Sequence, residues 1–126
     1  GGVFAPMGTA HVEGDHYRVS GRWSWASGSA NCRWLLGGCV VHENGAPRLL
    51  QGGRPEARMM VMPAERVELI DSWHAAGLKG SGSGDMAASG LPVPLDHSVD
   101  LVGDRPVEPG ALYLFPVFGL LALGLA

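Results

Sequence analysis

No cluster of lysine or arginine occurs anywhere in this chain. Nine basic side chains are scattered against twelve acidic ones, for a net charge of −3. They cannot be assembled into a phosphate-tracking stripe, which argues against nucleic-acid binding. Cysteine is scarce: Cys32 and Cys39 form neither a C-x-x-C pair nor a metal-ligand spacing. A disulfide framework would need more of them, so a reducing, cytoplasmic setting is the default expectation. The N-terminus has no basic and apolar regions of a signal-peptide kind. The five histidines, His11, His16, His42, His74 and His97, offer no H-x-H or H-E-x-x-H pair, so no metal is expected. No serine sits in a G-x-S-x-G elbow, which leaves a hydrolase nucleophile unsupported. The apolar stretch from Leu112 to Ala126 is fifteen residues long, short of the ~20 that cross a bilayer. It runs straight into the C-terminus without a polar cap. It is expected to be the truncated start of a helix from a domain the chain lacks.

What is abundant is glycine, with 20 residues, joined by nine prolines among 126. That composition implies many turns between short elements, and hence an all-β fold with little room for long helices. At 13.2 kDa a folded chain keeps about 6,400 of roughly 19,000 Å² of surface, enough burial for one real core. Glu13-Gly14-Asp15 reads as a hairpin turn. Tyr17 to Ser20 alternates apolar with polar, and Trp23 and Trp25 continue that period, so both rings are expected on one face. Trp34 to Val41 reads as a buried strand closed by the Glu43-Asn44-Gly45 turn. Ala57 to Met62 is a further strand, Val67 to Trp73 one of mixed facing, and Asp85 to Val93 a weak one. The expected product is a small antiparallel β-barrel or sandwich of about six strands over residues 1–95. A polar linker follows over 96–111, with the helical start at 112–126.

Four features are candidates for chemistry. Gly80-Ser81-Gly82-Ser83-Gly84 invites a phosphate reading, but it matches neither G-x-x-x-x-G-K-[ST] nor G-x-G-x-x-G, and reads as a flexible connection. Cys32 and Cys39 read as small core or loop hydrophobes. His74, beside Trp73, is the histidine with most functional promise, although a structural role is the simpler one. The most informative run is Gly21-Arg22-Trp23-Ser24-Trp25-Ala26-Ser27-Gly28. An indole followed two residues later by a hydroxyl offers a flat apolar wall and one polar handle, the pair a planar heteroaromatic ligand needs. Two core tryptophans at a strand end are the plainer alternative.

The order Phe4-Ala5-Pro6-Met7-Gly8-Thr9-Ala10, then Tyr17 to Gly28, then Asp71 to Ser83 and Pro92-Val93-Pro94, resembles the middle β-domain of the acyl-CoA dehydrogenase superfamily. Within it, the chain is most similar to oxygenase components of two-component flavin-dependent monooxygenases that act on aromatic and phenolic compounds. The resemblance implies a middle domain between two helical ones, with reduced FMN or FAD lying between barrel and bundle. It also implies a separate flavin reductase, an aromatic substrate, and a homotetramer for the full-length protein. By position it implies that Ser27 hydrogen-bonds the isoalloxazine near N5 and that Trp25, next to Ala26, packs on the ring. Phe4 and Ala5 would line the flavin edge, and Gly8 and Thr9 a loop reaching toward the ribityl phosphate. A catalytic base would belong to the helical domains. Where acyl-CoA dehydrogenases carry an acidic residue before the proline, Ala5 stands here, which weakens a CoA-thioester reading. An acyl-CoA dehydrogenase and a non-catalytic β-domain remain the alternatives. Leu112, Leu114, Phe115, Phe118 and Leu121 would pack on helices or on a neighbouring subunit.

Overall fold

A computed structural model describes residues 6–115 and Gly119. Eight strands form one sheet: β1 Gly8–Glu13, β2 His16–Trp23, β3 Trp34–Glu43, β4 Ala46–Pro47, β5 Ala57–Pro63, β6 Glu68–Ile70, β7 Asp85–Pro94 and β8 Ser98–Val99. Their lateral order is β6-β7-β2-β1-β3-β5-β8, with β4 paired to β3. The fold is all-β, as composition implies, but the sheet is open and mixed rather than wholly antiparallel. β1 runs parallel to β3, with Gly8 opposite Cys39 and His11 opposite His42. Both edges end in very short strands, β6 and β8, which limits the unpaired backbone they present.

The two turns read from sequence form as expected. Gly14 takes φ 62 in the β1–β2 hairpin, while Asn44 and Gly45 take φ 51 and φ 82 after β3. Two positive φ values in succession suit the right-handed twist of a hairpin. β2 and β7 slip register between Val19 and Gly21. Gly90 at φ 60 makes this bulge, and its N–H donates to Ser20 Oγ at 2.9 Å.

The core lies on one face of the sheet, built by alternate residues: Tyr17, Val19 and Trp23 of β2, Leu35, Cys39 and Val41 of β3, Met60 and Met62 of β5. Trp23 is its largest member. Its slot exists because three neighbours lack side chains: a Cβ at Gly8, Gly21 or Gly37 would stand 2.5, 2.8 and 2.7 Å from the indole. The Trp23 indole N–H donates to Gly38 O at 2.8 Å, so the buried ring leaves no polar atom unpaired. Burial pushes the Cys39 thiol up to about 12, which keeps it a neutral core side chain.

Several boundaries move. β3 is not a continuous buried run, because Trp34 and Leu36 face outward, 49% and 41% exposed. The strand expected over Val67–Trp73 shrinks to Glu68–Ile70, since Asp71 onward leaves the sheet. The stretch read as a linker contains β8, pinned when Arg58 donates to Ser98 Oγ at 2.9 Å and to Asp104 Oδ2 at 2.8 Å. Leu112 to Phe115 form turns with exposed side chains rather than regular helix, and Phe118 and Leu121 lie outside the described residues.

Candidate functional site

Strand topology brings two long connections to one end of the sheet. β2 and β3 both flank β1, so the 24–33 connection must pass from one side of β1 to the other. β7 begins with Asp85 opposite Ile70 and Met86 opposite Trp23, which places the 71–84 connection at that same end. The two are joined through backbone hydrogen bonds, Ala26 N–H to Gly84 O at 2.8 Å and Gly28 N–H to Ser81 O at 3.0 Å. The glycine-serine loop is therefore not a loose connection. It is an ordered clasp containing the 3-10 turn Lys79–Ser81.

Trp23 and Trp25 do not share a face. β2 ends at Trp23, and Trp25 adopts φ 60, a left-handed conformation that a tryptophan rarely takes. That turn throws the indole outward, to 74% exposure. Ala26 beside it is buried, and its N–H is used in the clasp. Ser27 is exposed, and its hydroxyl lies 2.7 Å from that of Ser83. The indole and the hydroxyl thus both reach the surface, through loop geometry rather than through strand period.

Two grooves flank the exposed indole. One, of about 270 Å³, is lined by Trp25, Ala26, Ser27, Cys32, Trp34 and Leu36, among others. The other, of about 420 Å³, is lined by Ser24, Trp25, Trp73, His74, Ser83 and Asp85, among others. The Asp85 carboxyl is held below the usual carboxylate range, chiefly by its hydrogen bond from Arg22, whose Nε donates at 2.8 Å. Asp85 is therefore a charged strut and not a proton donor near neutral pH. The Trp73 indole N–H donates to Leu78 O at 3.0 Å, stiffening the far wall.

The sequence reading singled out Trp25, Ala26 and Ser27, and the structure brings these three together. It does not place Gly8 and Thr9 in a loop. They open β1, between β2 on one side and β3 on the other, and Gly8 is buried where its missing side chain makes room for Trp23. Their backbone belongs to the sheet and not to a loop. Phe4 and Ala5 lie outside the described residues. Trp34, Leu36 and Ser83 went unrecognised as site residues. Outward alternation within β3 was a usable signal for the first two, but Ser83 is revealed only by the clasp.

An exposed indole in a strained backbone, a neighbouring hydroxyl and an apolar groove are a donor set that fits a flat heteroaromatic ring carrying an N–H. The surrounding fold is an open, mixed eight-stranded sheet, and its structural neighbours are acyl-CoA dehydrogenase-like oxygenases. No family profile matches the chain. A pigment production hydroxylase from a Rhodococcus species is 30% identical over 122 residues, which cover 91% of this chain and 30% of the relative. The oxygenase component of an FADH2-dependent resorcinol hydroxylase from a Rhizobium species is 31% identical over 93 residues, 74% of this chain and 21% of the relative. Among solved structures, 3-HSA hydroxylase from Rhodococcus sp. RHA1 superposes with a TM-score of 0.66 at 30% identity, over 77% of this chain and 24% of that one. TdsC from Paenibacillus sp. A11-2, solved with FMN and indole, gives 0.60 at 25% identity, over 74% and 23%. The chain's homologues and structural neighbours are thus oxygenase components of two-component flavin-dependent monooxygenases with an acyl-CoA dehydrogenase-like fold. The chain spans between a fifth and a third of the length of the two curated relatives.

Proposed function

We propose that the protein to which this chain contributes is an oxygenase that hydroxylates an aromatic or phenolic substrate, using O₂ and reduced flavin delivered by a separate reductase. Residues 1–95, extended by β8, are its middle β-domain in this reading. Residues 96–111 lead on, and the chain beyond them runs in this reading toward a helical bundle through which the full-length protein forms a homotetramer. The observation that carries the reading is the pairing of the exposed Trp25 indole with the Ser27 hydroxyl on one loop beside an apolar groove.

When bound, reduced flavin supplies the electrons that activate O₂. Trp25 gives the ring a flat apolar wall, and Ser27 gives its N–H an acceptor. Trp34 and Leu36 extend the apolar side and exclude water, which protects a reactive oxygen species from wasteful loss. In the groove beside the indole, Asp85 is tied to Arg22, and His74 is the other ionisable side chain. The family resemblance puts the catalytic base on the helical domains.

The test uses the full-length protein with a flavin reductase, NADH and a panel of phenols, measuring hydroxylated product against H₂O₂. Product formation that depends on flavin, O₂ and substrate is expected. Ser27→Ala should shift the balance toward H₂O₂ by several-fold. Bleaching of bound flavin by an acyl-CoA, with no hydroxylated product from any phenol, would overturn the reading in favour of a dehydrogenase.

A further inference from the structure

Ser27 heads a line of three hydroxyls. Ser27 Oγ is 2.7 Å from Ser83 Oγ, Ser83 Oγ is 2.7 Å from Ser81 Oγ, and Ser81 Oγ is 2.8 Å from the Leu78 carbonyl oxygen. Each serine hydroxyl has one hydrogen, and a carbonyl oxygen can only accept. Ser81 must therefore spend its hydrogen on Leu78 O, and it can only accept from Ser83. Ser83 has then spent its own hydrogen, and it can only accept from Ser27. The direction of the whole line follows from its last member. Ser27 turns its hydrogen inward and is left with its lone pairs directed away from Ser83.

The line is built rather than incidental. Ser83 is 7% exposed, so water does not readily replace either of its partners. Leu78 holds φ 53 although its own side chain is 82% exposed and packs on little. That strained backbone aims a carbonyl that accepts from the Ser81 hydroxyl, the Ser81 N–H at 3.1 Å and the Trp73 indole. Gly82, at φ 51, lets the chain double back between the two serines.

We propose that Ser83 and Ser81 are positioning residues that fix Ser27 as a hydrogen-bond acceptor only, and so set the site's preference for reduced over oxidised flavin. The inference rests on the reading that Ser27 meets the flavin ring. Reduced flavin presents an N–H at the central ring, where the oxidised form presents a bare nitrogen lone pair. An acceptor-only hydroxyl binds the first and repels the second. A free hydroxyl would rotate and serve both.

The test is anaerobic titration of the full-length protein with dithionite-reduced FMN and, separately, with oxidised FMN, reading the ratio of the two Kd values. Ser83→Ala and Ser81→Ala should each release the Ser27 hydroxyl and cut the preference for reduced FMN about fivefold, mostly by tightening the oxidised form. Ser81→Thr keeps a hydroxyl at that position and should retain the original ratio. A merely structural role would weaken both forms together and leave the ratio in place. An unchanged ratio in both alanine variants, while Ser27→Ala changes it, overturns the relay but not the flavin reading. Unchanged affinities for both forms in Ser27→Ala overturn the flavin reading and the relay with it.

Discussion

Trp23 and Trp25 are separated by a single residue and lie at opposite limits of burial, 0% and 74% exposed. One closes the core and the other is presented to the outside. The switch takes place within two peptide steps, where β2 ends and the backbone turns left-handed at Trp25. The buried ring anchors the strand end from which the exposed ring is displayed. Their stability and binding roles should therefore separate cleanly.

The slot around Trp23 depends on glycines whose role is steric. Gly37 is not in a positive-φ conformation, so its backbone would tolerate alanine, but the added Cβ would stand 2.7 Å from Trp23 Cε2 and 2.8 Å from Cζ2. Gly37→Ala should cost about 2 kcal/mol of unfolding free energy through overpacking. Urea denaturation followed by tryptophan fluorescence reads it, and a neutral result would mean that the slot is looser than these distances imply.

Trp25 stores backbone strain at the site. A glycine there would relieve the left-handed conformation, while removing an indole that contributes little to the core. Trp25→Gly is expected to hold or raise thermal stability, by up to about 1 kcal/mol. The same variant in the full-length protein should weaken flavin binding about tenfold, in line with loss of an aromatic contact of roughly 1.4 kcal/mol. Strong destabilisation with unaltered flavin affinity would contradict both halves of this assignment.

Acid sensitivity should centre on Glu56. Its buried carboxylate accepts from Arg48 Nε at 2.6 Å and Nη2 at 3.0 Å, with Arg58 at 3.5 Å. The Arg48 hydrogen bonds hold its pKa below the ordinary carboxylate value of 4.5, against an opposing push from burial, with Arg58 adding to the lowering. A group with a depressed folded pKa stabilises the fold fully above its unfolded value, and that stabilisation is lost as pH falls through the folded one. Glu56→Gln should thus cost about 2 kcal/mol at pH 7 and lose less further stability than wild type as pH drops below about 4.5. Denaturation midpoints at pH 7 and pH 3.5 measure it; parallel loss in both proteins would place the acid sensitivity elsewhere.

The β-rich class, the hairpin at Gly14, the Asn44-Gly45 turn and most strand positions were legible because each rests on neighbours a few residues apart. Gly14 and Gly45 supply positive φ locally, and alternation along Tyr17–Ser20 needs no distant partner. The Trp25-Ala26-Ser27 run stood out in sequence as an indole followed two residues later by a hydroxyl. Its geometry was not legible, because strand period continued past Trp23 gives the wrong face for Trp25. The loop placement expected of Gly8 missed for a related reason. A glycine required by a tryptophan fifteen residues away looks, in sequence, like a glycine required by a loop.

Composition and short-range pattern by themselves determined that this chain folds into strands and displays an indole and a hydroxyl close together, since residue chemistry and local φ preferences decide such matters. Tertiary structure alone decided that Ser83 and Ser81 stand behind Ser27. Hydroxyls 56 residues apart come within 2.7 Å only after β1 has taken β2 and β3 as its two neighbours and β7 has paired with β2. Long-range pairing of this kind is a property of the sheet as a whole, and no window of sequence contains it.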